Sequence, residues 1–272
     1  MRVVEDFGGG LGARWRVTES GQGRVQVSDH RLALHLLPTG AGYSNAQIDD
    51  YRPQPPQRKA DFVWRPPPGK ADFVWRPPLR LTLRARFSGA PAGTAGFGLW
   101  NHPFAPGESG LRPPQAVWFF YGAPPGHIAL AQGVPGHGWK AATFDARRWQ
   151  FWALLPAAPV GVLLMRVPAL YNRLWPIGQR ALGISERLLD DHLLGDWHSY
   201  SLEWRRDGAT FWVDGRAVQR APYAPRGPLG FVAWIDNQYA VVTPQGHLGF
   251  GLVDIADQQS LFLDDLSLES LD

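Results

Sequence analysis

A chain of 272 residues carrying 13 Trp and 14 Phe has enough apolar mass for one large core. Its net charge of +3 leaves 24 Arg and 3 Lys against 24 acidic residues, the basic ones set singly or in pairs with no dense basic run, so nucleic acid is not an expected partner. Cysteine is absent, which excludes disulfides and leaves the redox compartment open. The opening MRVVEDFGGG lacks the apolar run of a secretory signal, which places the chain as written in the cytoplasm, or outside it if a signal has been removed.

Glu5-Asp6-Phe7 followed by Trp15 reads as an edge strand, and a hairpin follows with arms at 25–27 and 31–37 around Ser28-Asp29-His30. Leu32, Leu34 and Leu36 alternate along its second arm, the period of a half-buried strand. A short strand is expected over 43–50. KADFVWRPP at 59–67 then recurs unchanged at 70–78. Two copies are too few for a solenoid and their prolines interrupt strand pairing. A duplicated surface-loop segment over 59–78 is therefore expected, with an aromatic clamp of Trp64 and Trp75 as the alternative. Residues 79–87, LRLTLRARF, alternate without a fault and demand one buried and one wet face. Strands are expected at 96–102, 116–121, 127–132 and 139–144, with Glu108 in a Pro/Gly loop between the first two.

Residues 149–165 are nearly all apolar but hold Pro156 and Pro159, and the run is shorter than the ~20 residues a membrane span needs. It reads as a buried strand and loop leading into a short helical insertion around 167–190. The alternative is an apolar lip over 151–175 that touches a membrane surface or a partner, or shields a cleft. Beyond it, His198, Tyr200, Leu202 and Trp204 share one face of an extended segment. Arg206-Asp207-Gly208 turns the chain into a second strand, and Asp214-Gly215 is a further hairpin signal. Strands at 229–237, 246–253 and 260–268 complete a chain with no break in composition, hence one domain over 1–272.

The order His, Tyr, Glu-Trp, turn, aromatic-Val-Asp-Gly across 198–215, with the closing SLFLDDLSL, resembles glycoside hydrolase family 16, the laminarinases and lichenases of the concanavalin A-like superfamily. The resemblance implies an all-β jelly-roll sandwich of two antiparallel sheets, curved to present a concave face. It also implies a structural Ca²⁺ at Asp264, where oxygen ligands suit a hard cation, and requires no other cofactor. Members of that family take nucleophile and acid/base from a Glu-x-Asp-x-x-Glu strand, whose period of two aims alternate carboxylates into one cleft. This chain has six Glu, at 5, 19, 108, 186, 203 and 269, and none of them begins such a motif. The strand in the corresponding place carries Trp118, Phe119, Phe120 and Tyr121 instead.

Aromatic faces beside amides and carboxylates suit sugar rings, which need apolar stacking and in-plane hydrogen bonds. Trp100 and His102 share one strand face, Trp234, Asp236 and Gln238 another, with Asn101 and Asn237 at the strand ends. With Trp118 these residues form the expected glycan-binding set, and Gln47, Trp139 and Lys140 are lesser members. The expected function is non-catalytic carbohydrate or ligand binding. The alternatives are a glycoside hydrolase built on Glu108 and Asp236, and a membrane-surface or partner-docking protein. The eight His form no HxH or HExxH pair, which argues against catalytic zinc.

Overall fold

The computed structural model describes residues 1–40, 42–53, 71–102 and 112–271. In chain order its first strands are β1 (Arg2–Glu5), β2 (Arg16–Ser20), β3 (Gly23–Ser28), β4 (Arg31–Leu36), β5 (Asn45–Asp49), β6 (Arg52–Pro53) and β7 (Ala71–Asp72). There follow β8 (Leu79–Phe87), β9 (Thr94–Trp100), β10 (Gln115–Gly122), β11 (His127–Ile128) and β12 (Gly138–Asp145). Three helices come next: α1 (Trp149–Leu154), α2 (Ala158–Leu164) and α3 (Pro168–Ala181). The chain returns to strand in β13 (Ser185–Leu188), β14 (His198–Trp204), β15 (Ala209–Val213) and β16 (Arg216–Ala221). It ends with β17 (Gly230–Asp236), β18 (Gln238–Val242), β19 (Leu248–Leu252) and β20 (Gln259–Ser270).

These strands form the expected jelly-roll sandwich of two antiparallel sheets. One sheet runs β16-β15-β14-β8-β20-β4-β3, with β1 also paired to β20. The other runs β13-β12-β10-β9-β17-β5-β2. The alternation of 79–87 is what the packing uses: Leu79, Leu81, Leu83, Ala85 and Phe87 enter the core while the arginines between them stay outside. In β14, Tyr200, Leu202 and Trp204 enter the same core, and Trp204 Nε1 donates to the Pro225 carbonyl. The core between the sheets is largely aromatic, with Phe97, Phe119, Trp139 and Tyr200 in mutual ring contact.

Residues 73–78 of the second copy of the repeat are packed in rather than looped out. Trp75 is 1% exposed, donates through Nε1 to Asp50, and bridges its backbone to Leu229. The first copy and Trp64 lie outside the described residues.

Two segments differ from expectation. Residues 149–165 form α1, a 3₁₀ turn and α2 instead of a buried strand. Pro156 and Pro159 sit in the first turns of the two later pieces, where a missing N–H is harmless, so they punctuate helix rather than break it. In 127–132, only His127 and Ile128 pair, parallel to Val241 and Val242 of β18. The helical insertion expected around 167–190 is α3, and β13 follows it because Gly183 turns the chain at φ +58° and frees 185–188 to pair with β12.

Candidate functional site

The second sheet has one face in the core and one turned away from it. Along β10, Val117, Phe119 and Tyr121 enter the core, so Ala116, Trp118, Phe120 and Gly122 point outward. The register fixes what stands beside them. Trp118 is flanked by Gly98 of β9 and Ala142 of β12, and Phe120 by Gly96 and Lys140. Beyond β9, Gly98 and Gly96 face Val232 and Trp234 of β17, which face Asp49 and Gln47 of β5.

This face carries a ribbon of rings. Trp100 lies 5.3 Å from Trp118, and Trp118 lies 5.4 Å from both Phe120 and Trp234, ring centre to ring centre. His102 extends it 5.1 Å beyond Trp100. Trp100, Trp118 and His102 are half-buried, whereas Trp234 and Phe120 are nearly covered. The glycines of GFGLW make this possible. A Cβ on Gly98 would stand 2.5 Å from Cα and Cβ of Trp118, and one on Gly96 would stand 3.0 Å from Cη2 of Trp234. The absent side chains are the floor on which the rings rest.

Polar groups flank the ribbon at both ends of the sheet. On one side Asp49 has no exposed side chain and receives Arg16 through both carboxylate oxygens, Gln47 Nε2 and the Tyr51 amide. On the other, Lys140 Nζ lies 3.7 Å from Glu186 and donates to the Ile128 carbonyl at 3.0 Å. Both members of that pair are buried. Burial pushes the Lys140 ammonium down and the Glu186 carboxyl up, each partly opposed by the other's charge.

Asp236 is 6% exposed, and its Oδ1 accepts from the Thr94 hydroxyl, the Thr94 amide and the Gln238 amide. Trp234 Nε1 in turn donates to the same Thr94 hydroxyl. Burial raises Asp236 to about 7 against its ordinary 3.8.

The expected site residues therefore divide. Trp100, His102, Trp118, Trp234, Asp236 and Gln47 share the outer face, with Gln238 exposed at its margin. Asn101 and Asn237 are committed to backbone. The first joins Pro113 to Gln115, and the second ties the Ser44 amide to the Gly42 and Val253 carbonyls. Trp139 points into the core, on the opposite side of β12 from Lys140. Glu108 lies outside the described residues. Asp264 sits on the other sheet, 3.7 Å from Arg84, and among the described residues no cluster of three His, Cys, Asp or Glu is disposed to hold a metal. Sequence reasoning missed Arg16, Asp49 and Glu186, because each acquires its meaning only from a strand brought alongside by the topology.

The spacing of the outward carboxylates follows from the register. Asp236 pairs with Asn45, four residues from Asp49 along β5, which is about 14 Å of strand. Glu186 is separated from Asp236 by four strand spacings and from Asp49 by five, roughly 19 Å and 24 Å across the sheet.

No family model matches the chain, and no curated protein matches it by sequence. Solved structures do match in shape. An endo-acting O-glycanase of the human gut microbiota that initiates mucin breakdown aligns at TM-score 0.54 and 12% identity over 99% of both chains. A prokaryotic β-1,3-1,4-glucanase (lichenase) from a mouse hindgut metagenome aligns at 0.52 and 11%, again over 99% of both. A laminarinase from Flavobacterium sp. UMI-01 aligns at 0.51 and 11%, over 98% of this chain and 99% of the other. At such low identity the likeness is one of fold: this chain has the jelly-roll sandwich of these glycan-cleaving enzymes.

Proposed function

We propose that this is a non-catalytic carbohydrate-binding protein whose sugar platform is the outer face of β9, β10 and β17. The observation that carries the reading is the ring ribbon Trp100–Trp118–Trp234 laid over Gly96 and Gly98. Half-buried indoles on a flat floor offer a sugar its apolar face, and their positions are fixed by packing rather than chosen on binding. Gln238, exposed at the margin, supplies a hydrogen-bonding amide. A β-glucan or mucin-type glycan is the ligand class we put forward, because neighbours of the same fold are named for acting on such glycans.

The hydrolase alternative has one observation in its favour. Asp236, held near 7, has the proton affinity of a general acid at neutral pH. Against it, glycosidases work with carboxyl pairs about 5–5.5 Å or 6.5–9.5 Å apart, well inside the separations between Asp49, Glu186 and Asp236 among the described residues. Affinity gels with laminarin, lichenan and mucin, run beside a reducing-sugar assay, separate the two. Retention that fails in Trp118→Ala, with no sugar released by the parent, is expected. Sugar release abolished in Asp236→Asn would establish the hydrolase, and no retention on any gel would refute glycan binding.

A further inference from the structure

The helical insertion turns its apolar side outward. On α1, Trp149 and Trp152 are one turn apart and both exposed, Trp149 by 73%. On α2, Val160, Leu163 and Leu164 follow the i, i+3, i+4 spacing of a core-facing stripe, yet all three face water. Neither helix contains a buried residue. Val162, on the other side of α2, meets the turn of the β18–β19 hairpin, since a Cβ on Gly246 would stand 2.6 Å from its Cγ1. On that hairpin Leu248, Phe250 and Leu252 alternate with Gly249 and Gly251, and Leu248 and Phe250 are 78% and 85% exposed. Helix pair and hairpin thus adjoin, and together they turn more large apolar side chains to water than scattered exposed residues would.

Charge tells what covers it. No Asp or Glu occurs between Asp145 and Glu186, nor between Asp236 and Asp254. The first interval holds Arg147, Arg166, Arg173 and Arg180, all exposed, with Arg173 and Arg180 on the same face of α3 as exposed Ile177. A second copy of the chain docking here would set arginines against arginines with no carboxylate from either interval to meet them. A surface of anionic headgroups over hydrocarbon matches both the charge and the apolar side chains. Among the described residues no helix is long and apolar enough to cross a membrane, so the geometry is that of segments lying in the interface plane.

We infer that residues 149–180 and the 248–252 strand dock this protein on an anionic lipid bilayer. The inference is independent of the glycan reading. The test is co-sedimentation of the full chain with phosphatidylcholine vesicles, with and without phosphatidylglycerol. Retention on the mixed vesicles and little on the neutral ones is expected. Leu248→Ser/Phe250→Ser should weaken retention at least about tenfold, from the lost apolar burial alone. Arg147→Glu and Arg166→Glu should each weaken it roughly five-fold or more. All these side chains are exposed, so unchanged circular dichroism and melting are expected, and Trp149→Ser/Trp152→Ser provides a second loss-of-binding variant should either hairpin change disturb folding. No retention of the parent overturns the inference, as does retention that ignores the variants. So does self-association in lipid-free sedimentation velocity that Phe250→Ser abolishes, which would assign the surface to a second copy.

Discussion

Asp236→Asn removes a charge while keeping a shape. The hydrogen bonds from Thr94 and Gln238 converge on Oδ1, an acceptor that Asn retains. The difference lies in the proton. Well below pH 3.8 the carboxyl is protonated in folded and unfolded chain alike. As pH rises, the unfolded chain releases its proton near the ordinary 3.8, while burial holds the folded one to about 7. Unfolding then liberates a proton, and stability falls through that window until the folded carboxyl ionises too. The interval from 3.8 to about 7 corresponds to about 4 kcal/mol at full effect. Asn does not titrate. The variant should match the parent within ~1 kcal/mol at pH 4 and exceed it by about 2–4 kcal/mol at pH 8. Guanidinium unfolding at intervals from pH 4 to 8 reads both. A residual slope will persist, because burial also raises Asp50, to about 6. Equal slopes in parent and variant, or a variant less stable at pH 8, would refute the reasoning.

Trp75→Ala should cost about 3–5 kcal/mol, since it empties a fully buried indole site and leaves the Asp50 carboxyl without its Nε1 donor; urea midpoints check it. Lys140→Met strands the buried Glu186 and should cost ~3–5 kcal/mol near neutrality, and less as pH falls, because burial already favours the protonated carboxyl. Gly98→Ala drives a methyl into Trp118 and should lower stability by about 1–3 kcal/mol while weakening glycan retention, whereas Gly9→Ala, which meets nothing within 4 Å, should change neither. Glycan retention should change less than about two-fold between low and high salt, because stacking is not screened; vesicle retention should fall steeply over the same range.

The fold was legible where one strand carries its own pattern. The alternation of 79–87 and of 198–204 depends on local spacing alone, and both strands sit in the core as that spacing demands. The 149–165 segment was illegible for the converse reason. Its apolar content reads as burial, but burial is decided by what packs against it, and the outer stripe of α1 and α2 is exposed. Trp100, Trp118 and Trp234 were legible as a set because period two puts even-numbered residues of β9, β10 and β17 on one face. Asn101 and Asn237 were not, since an amide at a strand end serves a ligand or a neighbouring backbone equally well until the neighbour is placed. Glu186 could be found only through β13, a short strand inside a stretch with helical composition.

The two surfaces differ in kind, and the difference follows from where charge is held. On the aromatic face Asp49 is locked by Arg16, Glu186 is paired with Lys140, and Asp236 keeps its proton to near neutrality. A polyanion finds no free cation among these groups and a polycation no free anion, which leaves uncharged rings and hydroxyls as the chemistry best suited to it. On the helical surface the arginines have no carboxylate within their own interval, and the apolar side chains are the ones turned to water. Between the two lies the small sheet of β11, β18 and β19. Its first strand receives Lys140 from the aromatic face and its last carries Phe250. A chain docked through that hairpin would hold the ring ribbon one short sheet away from the lipid, an arrangement suited to glycans presented close to a membrane.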